Sequence, residues 1–175
     1  MLFLLSTIGA TAYVIWQINQ DDAPLVSEPS IEQTAQDSPD TEACGSGSIA
    51  AVEPRAVPSV TKVDGAVTEL KKVDIKEGDG EEVQAGDCVA ALYYGTLATN
   101  GTKFDGNYET GQPIEFSLNS VISGWTEGIP GMKVGGVRRL EIPASLAYGD
   151  QENNGIPANS DLIFEVEIVA TRRGN

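Results

Sequence analysis

Residues 66–175 predict an α+β domain, an antiparallel β-sheet covered on one face by a single short helix. Three observations carry that prediction. Short runs of alternating apolar residues recur along this part of the chain. Turn-forming dipeptides separate them. One segment alone changes to helical spacing.

The elements follow in chain order. "CVAALYYGTL" (88–97) is a β-rich run in which Cys88 reads as a small buried residue. Asn100-Gly101, within "ATNGTKFDGN", is a favoured tight-turn pair. "IEFSLN" alternates Ile114, Phe116 and Leu118. Between Asn119 and Met132 the apolar residues Val121, Ile122, Trp125 and Ile129 recur at helical spacing, over a length that allows roughly two or three turns. Gly128, Pro130 and Gly131 end that helix. "VRRLEI" directs Leu140 and Ile142 one way, and "DLIFEVEIV" places Leu162, Phe164, Val166 and Ile168 on one face. Strands with one buried face follow, and Arg138 and Arg139 read as charge on the sheet surface.

Two different regimes precede the domain. Residues 1–19, "MLFLLSTIGATAYVIWQIN", contain no charged side chain, and 17–25 mostly apolar residues are about what a spanning helix needs. Tyr13 and Trp16 near its far edge suit the headgroup layer. An uncleaved anchor is favoured over a cleaved secretory signal. There is no basic n-region, and cutting after Ala12 would leave "YVIWQI" exposed. Either reading places the rest of the chain outside the cytoplasm, membrane-anchored or, if the segment is cleaved, secreted.

Residues 20–65 hold Pro24, Pro29, Pro39, Pro54 and Pro58 among acidic and hydroxyl side chains without a sustained period. Such a composition buries too little apolar surface to offset chain entropy, so a disordered acidic spacer is expected. Its span would be roughly 35–40 Å by the square-root rule.

The whole-chain charge of -15 opposes sequence-independent nucleic-acid binding, which needs clustered Lys and Arg. The chain has no histidine, which removes imidazole bases, Ser-His triads and His-metal sites. No metal and no cofactor are expected. Cys44 and Cys88 have no metal-ligand spacing. Cys44 reads as a free thiol or an intermolecular bridge, and a disulfide to Cys88 is not expected, because one end would sit on a floppy spacer.

The order "YYGTL…GTKFDGN…QPIEFSL…VISGWTEGIPGMKVGGVRRLEIPASLAYG…GIPANSDLIFEVEI" closely resembles the FKBP-type peptidyl-prolyl isomerases over residues from about 70 to 170. The resemblance implies a strongly bent antiparallel sheet wrapped around a short helix, with an aromatic pocket between them. Carried over by position, Tyr93 and Phe104-Asp105 line one wall, Val121 and Ile122 flank the substrate proline, and Trp125 lies beneath it. Tyr148 reaches in with its hydroxyl, Ile156 and Phe164 complete the enclosure, and Phe116 packs just behind. Asp105 would orient Tyr93 and shape the local field without a proton-transfer role. The sequence departs from the family pattern at Ile114, often aromatic, at Gly106, usually serine, and at Pro157-Ala158, frequently Pro-Pro.

The implied activity is rotation about X-Pro bonds in exported or surface proteins by a monomer, with proline-containing polypeptides as partners and macrolides as inhibitors. A tethered proline-peptide binding module without turnover is the alternative. A third reading is a tethered domain in which only the acidic surface matters.

Overall fold

The computed structural model describes residues 44, 49–59 and 61–174. The expected membrane segment and most of the spacer lie outside these residues. Among the described residues no helix is long and apolar enough to cross a membrane.

A six-stranded antiparallel sheet carries one short α-helix. The strands are β1 (Lys71–Lys76), β2 (Cys88–Leu97), β3 (Lys103–Gly106), β4 (Ile114–Ser117), β5 (Val137–Ile142) and β6 (Leu162–Arg172). Their order is β1-β5-β6-β2-β3, with β4 also paired to β2. β3 takes Tyr94–Thr96 of β2 and β4 takes Cys88–Ala91, so both lie along one edge of β2 with the 107–113 loop between them. α1 (Ser123–Gly128) packs against β5, and a 3-10 turn, Ala144–Leu146, follows β5.

The expected alternation holds on β5 and β6. Leu140, Ile142, Leu162, Phe164, Val166 and Ile168 face the core beneath the helix. α1 is one and a half turns, shorter than its apolar spacing suggested. It lies directly on β5 because a Cβ on Gly124 would meet Ile142 Cγ2 at 2.5 Å and one on Gly128 would meet Leu140 Cδ2 at 2.8 Å. Only glycine permits this approach.

Several expectations need correction. β1 and β3 were not anticipated, since "KKVDIK" is mostly exposed and "KFDG" is only four residues of what read as a turn. Arg138 is not surface charge: it is 8% exposed. Its Nε donates to Asp74 Oδ1 at 2.6 Å and its Nη1 to the Gly128 carbonyl at 2.8 Å. It thereby satisfies a carbonyl that the end of α1 leaves without a helical partner.

The spacer expected up to residue 65 is ordered against the domain over residues 49–59 and 61–63. Val52 N–H donates to Gly111 O at 2.8 Å, Arg55 N–H to Tyr108 O at 2.7 Å, and Val63 N–H to Ala98 O at 3.0 Å. Nor is Cys44 free, because Cys44 and Cys88 form a disulfide with a Cα–Cα distance of 5.4 Å. The premise of a floppy spacer fails here. Ile49 lies with Cys88, Glu115 and Arg172 around one small cavity, which holds this part of the chain at the start of β2.

Candidate active site

The site is built from the inner face of the bent sheet and the residues around α1. Trp125, 6% exposed, projects from the helix to form the floor. Three rings surround the indole: Phe164 at 5.1 Å between centroids and 81°, Tyr93 at 5.4 Å and 79°, and Phe116 at 5.1 Å and 48°. Phe104 meets Phe164 edge to face at 5.4 Å and 86°. Edge-to-face contacts set the positive rim of one ring on the negative face of the next, which fixes the walls as well as burying them.

Alternation positions these rings. Tyr93 on β2 and Phe164 on β6 point inward with the core residues of their strands, and Phe104 and Phe116 come from β3 and β4 on the same edge of β2. Val121 and Ile122 enter just before α1, and Tyr148 follows the 3-10 turn. Asp161 sets the start of that turn by accepting Ala144 N–H at 3.0 Å, while its other oxygen accepts Val67 N–H at 2.9 Å. Together these side chains enclose an open cavity of ≈ 320 Å³.

The sequence-derived residues Tyr93, Phe104, Asp105, Phe116, Val121, Ile122, Trp125, Tyr148 and Phe164 all line this one cavity. Ile156 does not. It is 3% exposed and packed in the core, where reciprocal backbone bonds with Asn153 at 2.7 and 3.0 Å turn it inward. Two further lining residues were not among the expected site residues, Ser120 and Ile114. Ile114, 42% exposed, forms part of the rim, and the signal for it was its place in the alternating "IEFSLN" run.

The polar content is sparse. Tyr93 donates its hydroxyl to Asp105 Oδ2 at 2.7 Å, and Asp105 Oδ1 accepts the Gly106 N–H at 2.8 Å. Burial first, then the Asp105 carboxylate, push the Tyr93 hydroxyl well above the ordinary phenol range, so it stays a donor. Burial and the Asp105 charge also raise Tyr148. Among the described residues no cluster of His, Cys, Asp or Glu could hold a metal ion. A walled, apolar hollow whose single lining carboxylate, Asp105, is engaged by the Tyr93 hydroxyl and the Gly106 N–H suits a change of conformation rather than the making or breaking of a bond.

Comparison with known proteins agrees with that class. Residues 79–169 match the FKBP-type peptidyl-prolyl cis-trans isomerases, and the chain belongs to this family. It is 48% identical over 94 residues to the FKBP-type peptidyl-prolyl cis-trans isomerase FkpA of Buchnera aphidicola, covering 54% of this chain and 37% of that one. The chain thus spans little more than a third of this longer relative. It is also 48% identical over 101 residues to an FK506-binding protein of Streptomyces anulatus, covering 55% of this chain and 82% of that one. The crystal structure of FkpA from Escherichia coli is similar with a TM-score of 0.57 at 40% identity, over 66% of this chain and 55% of that one.

Proposed function

We propose that the domain is a peptidyl-prolyl isomerase that speeds rotation about X-Pro bonds by binding the proline ring in the aromatic cavity. The observation that carries the reading is the open hollow over Trp125, walled by Tyr93, Phe104, Phe116 and Phe164, whose one lining carboxylate, Asp105, is held by the Tyr93 hydroxyl and the Gly106 N–H. Family membership supports it.

The mechanism needs no proton transfer. Amide resonance sets a barrier of about 18–20 kcal/mol, and uncatalysed exchange takes tens of seconds or longer. The twisted amide has less charge separation than the planar one, so a cavity that removes water from the imide carbonyl weakens the planar form relative to the transition state. Trp125, Phe104 and Phe164 supply the dry walls. Tyr148 donates to a substrate carbonyl and holds the twisted pose, while Asp105 fixes Tyr93 and leaves its ring as a rigid wall. Val121 and Ile122 flank the ring, and Phe116 backs the floor.

The substrates are proline-containing polypeptides that are exported or exposed at the surface. The Cys44–Cys88 disulfide supports an oxidising compartment, and residues 1–19 supply the anchor or export signal, leaving residues 20–43 as spacer. Macrolides of the kind named for the Streptomyces relative would compete for the same cavity, with Ile114 reducing the aromatic contact at its rim.

The test is catalysed cis-to-trans exchange of an X-Pro peptide by the full chain, with Asp105→Val as comparison. Acceleration that Asp105→Val diminishes is expected. Peptide binding with no acceleration over buffer would leave a non-catalytic proline-binding module instead.

A further inference from the structure

Strand β2 is apolar on both faces. Tyr93 points into the cavity, whereas Leu92, 0% exposed, and Thr96, 1% exposed, point the other way. An outward face this dry needs a cover, and residues 49–59 and 61–63 provide part of it. Val52 packs on the outer cluster of Leu92, Tyr94 and Tyr108, and Thr61 O accepts the Thr96 hydroxyl at 2.6 Å. Arg55 makes a two-pronged pair with Glu167, at 2.6 and 2.8 Å, which neutralises a nearly buried carboxylate on β6.

This segment also holds the loop joining two cavity walls. The 107–113 loop runs from β3, which carries Phe104 and Asp105, to β4, which carries Phe116. Its backbone ties to residues 49–59 are Tyr108 O, next to Asn107, and Gly111 O, four residues beyond it. Asn107 Oδ1 accepts the Tyr93 N–H at 2.7 Å, and its Nδ2 donates to Gln112 O at 2.8 Å and Ala91 O at 3.2 Å. Tyr93 in turn holds Asp105.

We propose that residues 49–59 and 61–63 are a positioning strap for the cavity: by clamping the 107–113 loop they hold Asn107 against β2, and through it the Tyr93–Asp105 wall. The disulfide closes one end of the strap and the Val63–Ala98 bond the other. Asn107 is a positioning residue, since it does not line the cavity. The proposal rests on the isomerase reading only for its effect on turnover.

Two variants of the full chain release the strap in different ways. Arg55→Gln removes the two-pronged pair. Gly111→Ala places a methyl group where the Val52 carbonyl lies, at a backbone φ of +64° that alanine adopts poorly. Asp74→Asn, which weakens the distant Arg138 pair, is the control for general destabilisation. With all chains folded, both strap variants are expected to speed hydrogen exchange at the Tyr93 amide about tenfold or more beyond the control, because opening of the loop exposes that N–H. They are expected to lower kcat/KM for an X-Pro peptide about threefold to tenfold, mainly by raising KM. Tyr93 exchange equal to that of the control would overturn the strap proposal. If the wild-type chain fails to turn over the peptide, the isomerase reading falls, and the Tyr93 amide alone decides the strap.

Discussion

Gly95 lies on β2 opposite Phe164 of β6 and Asp105 of β3, at the point where two walls of the cavity meet. A Cβ built there would sit 2.7 Å from Phe164 Cε1 and 2.8 Å from Phe104 Cζ, where ordinary contact begins at 3.4 Å. Gly95→Ala therefore requires both rings to retreat, Phe164 by about 0.7 Å and Phe104 by about 0.6 Å. Phe104 is half-buried on the wall, but Phe164 is hemmed in by Trp125 and Tyr93, with centroids at 5.1 and 6.3 Å, so its retreat displaces those rings as well. Overpacking of this kind costs about 1–3 kcal/mol, partly offset by the roughly 0.5–1 kcal/mol that alanine gains over glycine in a strand. Misplacement by ~1 Å can cost a catalytic site about a hundredfold, so a shift somewhat smaller than this should lower kcat/KM about tenfold, or ~1.4 kcal/mol. The assay is exchange spectroscopy on an X-Pro peptide in the cold, with urea unfolding in parallel. A folded Gly95→Ala chain with wild-type kcat/KM would refute the claim that the Phe104–Phe164 contact shapes the reacting site.

Tyr148→Phe should lower kcat/KM by about twofold to tenfold with unchanged unfolding, the range expected for one neutral hydrogen bond made to the substrate; peptide kinetics beside urea denaturation check it. Burial raises the Glu165 carboxyl above its usual value, so the unfolded chain gives up this proton at lower pH than the folded one, and the cost of burying the charge is relieved as pH falls through the raised folded value and is absent below the unfolded one. Glu165→Gln, which still accepts from Tyr108, should therefore stabilise the domain at pH 7 and lose that advantage near pH 4, as measured by urea midpoints. Reducing the Cys44–Cys88 bond, which closes a sequence separation of 44, should cost about 4 kcal/mol on the loop-entropy estimate, read as the difference between oxidised and reduced unfolding curves.

The floor of the cavity was legible because its signals agree. Gly124, Trp125 and Gly128 put one large ring between two positions that tolerate no side chain, and strands alternating on both sides supply the walls. Ile156 misled because its place in "GIP" carries no information on which way the chain turns, and the short reciprocal bonding with Asn153 decides that. Arg138 misled for a related reason. In an alternating strand a charged residue reads as solvent-facing, yet this one lies on the core side, where the helix end offers an unpaired carbonyl and Asp74 a counter-charge.

The strap illustrates a signal that was present and went unread. In "CVAALYYGTL" the residues Ala90, Leu92 and Tyr94 are no more polar than Val89, Ala91 and Tyr93 between them. A strand bare on one side would alternate, so uniform apolarity means that both faces are covered. The sheet can cover only one of them with its helix. Tyr108 and Val169 cover part of the other, and a segment with the composition of a spacer adds to that cover because three backbone bonds, one arginine pair and a disulfide supply what its few apolar side chains do not. Because neighbouring residues of β2 serve opposite faces, Leu92 under the strap and Tyr93 in the cavity share a peptide bond. Backbone movement that loosens one face cannot leave the other unchanged.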